Sequence, residues 1–441
     1  MPTRDFPAPI PVAGGRVASD RDQTGVRFGP FLLDSHFQPI YSIPHGRLVG
    51  HEALLRASTS AGQPVSPVEV FSACEDEQQL CDCDRLSRLV HLESWSQRSR
   101  QRGPPVVPEW LFLNVHPMAF QLLGQEGGAA QWRELQRHYA LSEGTLVLEV
   151  LEAEAADPAM LAASIGLARD AGLLIAIDDF GAGHSNFDRV WRMRPDIVKI
   201  DRTLVARAAC DASAARIMAQ MVSLLHECGA IVLVEGVETH AEAMVAIDCD
   251  AELVQGYLFG RPDSDLRAPW HSPDPLRSLP RELAAWRERR QCHQDDRARP
   301  FREAMQSLAA ALVGKDVTGW QDAGDSTEAC RFAQAAQAFL GIEGAQSCWL
   351  LDEQGRQLGR RTQAAAPVGA GHPMDDADGV CWLQRPYFNQ ALEKPGQVQA
   401  SRPHRQLLGR QLCVTVAIAV PVRVDGHPGW RVACGDFAWS E

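Results

Sequence analysis

From about Phe28 to Pro262 the chain repeats one unit, a short apolar run followed by a longer stretch of helical character. The runs are continuous, as in Leu173-Leu174-Ile175-Ala176-Ile177, which is the pattern of a strand covered on both faces. The stretches between them, such as Pro158 to Ala171 and Asp211 to Cys228, are long enough to be crossover helices. Strand-helix alternation of this kind requires parallel strands. Eight runs in one such span suit a closed barrel better than an open doubly wound sheet. The Gly-x-Gly-x-x-Gly turn that a dinucleotide-binding open sheet needs after its first strand is missing. The expected fold class is α/β, a TIM-like (βα)8 barrel.

The runs mostly end on polar groups: Gln38, Glu52, Asn114, Glu149, Asp178 with Asp179, Lys199 with Asp201, Glu235 and Gln255. Polar side chains at the ends of successive buried strands are how a barrel assembles an active site at one rim. Six carboxylates meeting there (Glu52, Glu149, Asp178, Asp179, Asp201 and Glu235) cannot all stay ionised unaided, because like charges raise one another's pKa. Divalent cations resolve the conflict. Hard oxygen ligands with one amide favour Mg2+ or Mn2+, and the lack of convergent His or Cys disfavours zinc. An Asp-Asp pair can supply one carboxylate to bridge two cations and its neighbour to one of them. Paired cations recur in the hydrolysis of phosphate esters. Lys199 adds a fixed positive charge to orient water or offset transition-state charge.

At 441 residues the chain exceeds one ordinary core. Residues 1–27, rich in Pro, Gly and charge, are expected to be a disordered tail. Residues 28–265 form the barrel, and 266–315 a charged linker and connecting helix, with a stripe at Phe301, Met305, Leu308, Ala309 and Leu312. That stripe reads either as packing on a domain-entry helix or as a signal-carrying dimer helix. Residues 316–441 read as a separate α+β domain: a helix from Ser326 to Leu340, a strand from Ser347 to Leu351, and a hairpin turning at Asp425-Gly426. The net charge of −13 argues against binding a nucleic-acid polymer. No signal-peptide pattern and no membrane-length apolar run is present, so the expectation is a cytoplasmic chain that does not engage membrane. Its twelve cysteines, with Cys81 and Cys83 as Cys-x-Cys, read as reduced structural thiols.

Several motifs stand in order: Glu52-Ala53-Leu54-Leu55-Arg56, Asp178-Asp179-Phe180-Gly181-Ala182-Gly183, Asp196-Ile197-Val198-Lys199-Ile200-Asp201, Glu235-Gly236-Val237-Glu238-Thr239, and Gln255-Gly256-Tyr257-Leu258-Phe259. Together they resemble the EAL-domain family of cyclic di-GMP phosphodiesterases. The resemblance implies a barrel with one strand reversed and hydrolysis of cyclic di-GMP to linear pGpG. It implies two Mg2+ or Mn2+ ions, one held by Glu52, Asn114, Glu149 and Asp178, the other by Asp178, Asp179 and Glu235. Lys199 and Asp201 would position the water, Glu235 would act as general base, and Glu152 would tie down the loop from Phe180 to Asn186. Gln38, Leu55, Arg56, Asp201, Glu238 and Gln255 would face the dinucleotide, and the protein would be a homodimer. The sequence departs from the family's commonest pattern at Leu151, Ala182 and His184, none of them a ligand.

The last domain is similar, more diffusely, to PAS/Cache-type sensory folds, on Arg385-Pro386-Tyr387-Phe388, Glu393-Lys394-Pro395-Gly396 and the strand beginning at Leu412. That similarity implies an unknown small ligand between a helix layer and a sheet, and regulation of the barrel. Arg385 and Tyr387 either line such a pocket or serve as a surface Arg and a core Tyr. Two other readings of the barrel compete: a cyclic di-GMP receptor that binds without cleaving, and an enolase-type lyase. The second wants a strand-end base facing a carboxylate substrate, and there is no second strand-end lysine. His51, His116 and His184 read as structural groups.

Overall fold

Ten strands of the first part make one sheet: β1 (Val26–Phe28), β2 (Phe31–Ser42), β3 (Arg47–Thr59), β4 (Pro64–Val65), β5 (Trp110–Val115), β6 (Leu146–Leu151), β7 (Leu174–Phe180), β8 (Ile197–Ile200), β9 (Ile231–Val234) and β10 (Leu253–Val254). The computed structural model describes residues 25–102, 107–121, 128–151, 158–182, 187–266, 275–315, 327–364, 380–405 and 412–439. The strand order β2-β10-β9-β8-β7-β6-β5-β3, with β2 also paired to β3, closes the sheet into an eight-stranded barrel; β1 and β4 flank it. β2 runs antiparallel to both neighbours, whereas the other barrel pairs are parallel. The hairpin β2–β3 explains the reversal: two strands joined by a short turn must be antiparallel.

Helices fill the crossovers: α1 (Pro67–Ser72), α2 (Glu77–Arg102), α3 (Pro117–Gln121), α4 (Gly128–His138), α5 (Pro158–Asp170), α6 (Phe187–Met193), α7 (Arg202–Cys210), α8 (Ala212–Glu227) and α9 (His240–Asp248). Their starts are written locally. Ser66 and Thr239 head capping boxes closed by Glu69 and Glu242, and Asp211 accepts from the amides of Ser213 and Ala214. Each such cap contributes about 1 kcal/mol.

The chain divides into two compact units between Ala285 and Trp286, a boundary that falls within helix α10 (Pro275–Leu312). Within the stretch expected to be a charged linker and connecting helix, residues 275–312 form one helix of 38 residues that runs through Pro280 and Pro300. The second unit adds α11 (Thr327–Leu340), β11 (Ala345–Leu351), β12 (Gln357–Gln363), α12 (Pro386–Glu393), β13 (Gln399–Ala400), β14 (His404–Arg405), β15 (Leu412–Val424) and β16 (His427–Ala438). Its antiparallel sheet has the order β12-β11-β16-β15-β13, with β14 also on β15. Both faces are covered. Val414, Val416, Ile418, Val420 and Val422 pack with Phe301, Met305, Leu308, Ala309 and Leu312 of α10 and Phe332, Ala336 and Phe339 of α11. The alternate residues Ala417 and Ala419 pack with Tyr387, Phe388 and Ala391 of α12. The α10 stripe is therefore core packing, and Tyr387 is a core residue. The expected N-terminal tail up to residue 24, Glu152, His184 and Ser326 lie outside the described residues. Among the described residues no disulfide forms, and no helix is long and apolar enough to cross a membrane.

Candidate active site

Inside the barrel Ile40, Phe112, Val147, Ala176, Ile197, Leu233 and Leu253 form one buried apolar cluster. Side chains alternate along a strand, so a residue two positions on points the same way. Two positions toward the rim from these seven stand Gln38 (earlier in sequence, because β2 is reversed), Asn114, Glu149, Asp178, Lys199, Glu235 and Gln255. Glu52 joins them, being paired with Gln38 on one side and Phe112 on the other. The polar ring is thus the next tier above the apolar plug, at the C-terminal ends of the parallel strands.

Lys199 is the hub, 1% exposed. Its Nζ lies 2.5 Å from Glu235 Oε1, 2.6 Å from Glu149 Oε1, 3.1 Å from Asp178 Oδ1 and 3.6 Å from Glu52 Oε1. Burial opposes the ammonium, but Asp178, Glu149, Glu235 and Glu52 more than compensate and hold its pKa well above the usual lysine value. Asn114 Nδ2 donates to Glu52 Oε1 at 3.1 Å and Gln255 Nε2 to Glu52 Oε2 at 2.6 Å. Burial would raise Glu52, yet Lys199 and these two amides bring it below the ordinary carboxylate value. Glu149 and Glu235 go the other way: burial and the neighbouring carboxylates push both well up.

Two overlapping triads, Glu52-Glu149-Glu235 and Asp178-Asp179-Glu235, each bring their ligand oxygens within 4.8 Å of one another. Five carboxylates and one ammonium leave four negative charges, which is the charge of two divalent cations. Glu149 Oε2 is buried and receives no hydrogen bond, whereas Glu149 Oε1 and Glu235 Oε1 meet the Lys199 ammonium. A buried acceptor left without a donor is expensive. All-oxygen donors with one amide fit a hard divalent cation, so the residues present suit the group.

A β-bulge aims the Asp-Asp pair. In a regular strand neighbouring side chains face opposite ways, but the β7–β8 register slips between Ile177 and Phe180, and Asp179 takes φ +57°. Asp tolerates this left-handed conformation better than most residues, and the extra residue re-aims the side chain. Asp178 Oδ1 accepts from the Asp179 amide at 3.0 Å. Burial, Asp178 and Asp201 together raise Asp179.

Elsewhere the strand pleat decides. Glu52, Leu54 and Arg56 share a face, with Arg56 opposite Asp34 and Leu54 opposite His36. Leu55 points the other way, into a cluster with Leu33, Val70, Leu86 and Val90. Its expected place facing the dinucleotide is thereby corrected: Leu54, partly exposed, occupies the site's face, and the two-residue period of the strand is the signal that was available. Gln38 donates to the Gly260 carbonyl at 3.2 Å. Gln255 is fixed by close backbone contact, since a Cβ on Gly256 would lie 2.1 Å from the Val237 carbonyl oxygen. Asp201 caps α7, accepting from the Thr203 amide and hydroxyl. Glu238 is exposed, 3.9 Å from Arg202. His51 pairs with Glu109 at 3.4 Å and packs on Trp95, a structural role.

Fold and site define an α/β barrel with one reversed strand and, at its rim, a carboxylate-lysine ring whose donors suit divalent cations. The sequence model of the EAL domain family matches residues 32–262, and the chain belongs to that family. It is 28% identical over 262 residues to the cyclic di-GMP phosphodiesterase RocR of Pseudomonas aeruginosa, covering 59% of this chain and 64% of that one. It is 27% identical over 252 residues to the probable cyclic di-GMP phosphodiesterase PdeD of Escherichia coli, covering 56% and 42%. The chain thus spans less than two thirds of the length of these curated relatives. In fold it is similar to the Bacillus subtilis YkuI protein, solved with an EAL domain in complex with substrate c-di-GMP and calcium (TM-score 0.70, 18% identity, 93% of this chain and 97% of that one).

Proposed function

We propose that the barrel hydrolyses cyclic di-GMP to linear pGpG with two Mg2+ or Mn2+ ions. The observation that carries this reading is the pair of carboxylate triads sharing Glu235 around Lys199. Glu52, Asn114, Glu149 and Asp178 would hold one ion and Asp178, Asp179 and Glu235 the other; bound there, the ions supply Lewis acidity and an activated water. Arg56 would grip a phosphate oxygen with its planar fork, and Gln38, Leu54, Glu238 and Gln255 would border the dinucleotide. Glu235 would accept the proton of the attacking water, whose oxygen adds to phosphorus as the bond to the ribose oxygen breaks and that oxygen takes a proton from solvent. Lys199, with Asp201, would keep that water in line, and the lysine would hold Glu149, Asp178 and Glu235 in place.

We assign residues 28–265 to the catalytic part. The second unit has a helix layer on a buried antiparallel sheet, which supports the PAS/Cache-like reading, with a small ligand and control of the barrel as its role. A homodimer in the cytoplasm completes the proposal. Incubating the full chain with cyclic di-GMP and Mn2+ and chromatographing the products tests it: pGpG is expected. Dinucleotide that binds and is recovered intact would replace hydrolysis with a receptor role.

A further inference from the structure

A second set of ligand-bearing side chains sits in the other unit, where three strands meet. His404 of β14 pairs with Cys413 of β15, and Thr415, on the same face as Cys413, pairs with Asp436 of β16. The ligand atoms of His404, Cys413 and Asp436 all lie within 4.8 Å of one another, with Cys413 and Asp436 buried and His404 half-buried.

We propose that His404, Cys413 and Asp436 form a Zn2+ site in the second unit, with the fourth position left for water or an exogenous donor.

Three features carry it. The first is spacing. Metal–sulfur and metal–nitrogen bonds of about 2.3 and 2.0–2.1 Å at a tetrahedral angle set sulfur and nitrogen about 3.5 Å apart, and Cys413 Sγ lies 3.6 Å from His404 Nε2. The second is the orientation of the imidazole. His404 Nδ1 lies 3.1 Å from the Arg402 carbonyl oxygen and 3.3 Å from Ser401 Oγ. A carbonyl can only accept, so the Arg402 contact favours the Nδ1–H tautomer, which turns the Nε2 lone pair toward Cys413 Sγ and Thr415 Oγ1, the latter 3.4 Å away. Histidine ligands are habitually held in this way. The third is support for the carboxylate. Thr415 Oγ1 donates to Asp436 Oδ1 at 2.6 Å and Arg361 Nη1 to Oδ2 at 3.2 Å.

The donor atoms bring two negative charges, a thiolate and a carboxylate that also pairs with Arg361 at 3.2 Å, and a soft sulfur beside nitrogen selects zinc over hard cations. Without a cation, burial and Asp436 push the Cys413 thiol up to about 12, so it is protonated. Binding would then release a proton. The ion would tie the two-residue strand β14 to β15 and β16.

Cobalt titration of chelator-treated full-length protein provides the test, because a thiolate ligand gives Co2+ an intense near-ultraviolet charge-transfer band that carboxylates do not. The expected result is a saturable thiolate band, bleached by Zn2+, lost in Cys413→Ser, and retained in Asp178→Asn. His404→Ala is expected to weaken cobalt affinity at least about tenfold. Should Cys413→Ser fail to fold, His404→Ala decides alone. No band in the parent protein, a band that persists in Cys413→Ser, or unchanged affinity in His404→Ala would each overturn the assignment and leave a thiol–imidazole hydrogen bond in its place.

Discussion

Replacing Lys199 with Met removes the one positive charge within the carboxylate ring while roughly keeping its volume. At an effective dielectric of 20, each of its four contacts, at 2.5, 2.6, 3.1 and 3.6 Å, carries a gross attraction of about 5 to 7 kcal/mol. Against this stand six carboxylate pairs within 4.8 Å, each repelling by at least about 3.5 kcal/mol when both members are ionised. The lysine removed, the repulsion stays. After protonation and relaxation the loss should be the roughly 3–5 kcal/mol of a broken buried pair. For a barrel of this size that is a fall in Tm of about 6–20 °C, read by calorimetry in chelator. Saturating Mn2+ should close most of the gap, because cations then neutralise the same carboxylates. Turnover with Mn2+ should nonetheless fall by about 100- to 1000-fold, the usual cost of removing one preorganised charge from a reacting centre. A chelated variant as stable as the parent, or a Tm gap indifferent to Mn2+, would refute the account of Lys199 as the ring's counter-charge.

Glu149 and Glu235 have raised pKa values in the folded chain, so the folded state binds more protons than the unfolded one above the ordinary glutamate range. Stability of chelated protein should therefore fall as pH rises through that window, by up to about 1.4 kcal/mol per unit per proton; denaturation with Mn2+ present should show a flatter slope. Glu149→Gln should stabilise the chelated protein yet weaken Mn2+ binding by tenfold or more, measured by calorimetric titration. Leu55→Ala should cost about 2–5 kcal/mol with KM unchanged, whereas Leu54→Ala should raise KM for the dinucleotide at little cost in stability. Urea unfolding and steady-state kinetics on the pair separate those two faces.

Much of the site was legible because one rule, the two-residue period of a strand, generates it. Val147-x-Glu149, Ala176-x-Asp178, Ile197-x-Lys199 and Leu233-x-Glu235 each place a polar group one tier above a plug residue. What was hidden depends on partners distant in sequence. The bulge that turns Asp179 toward Asp178 exists only against β8. Leu54 and Leu55 are chemically alike, and only the pleat of β3 against β2 separates them. Pro280 and Pro300 are strong helix breakers by themselves, yet they lie in one helix, where Leu279, Leu283, Ala298 and Phe301 are buried on either side of them.

The fate of the α10 stripe bears on assembly. Phe301, Met305, Leu308, Ala309 and Leu312 were open to two uses, and the second unit's own sheet takes all five. Phe301 stacks on Phe437 with ring centroids 4.0 Å apart, and a Cβ on Gly435 would lie 2.8 Å from Met305 Cε, so sheet and helix are in close contact. A face buried this way is unavailable to a second copy without unfolding the unit. A dimer of this chain must therefore use other surface, and polar substitutions on the stripe should appear first as lost stability of the second unit.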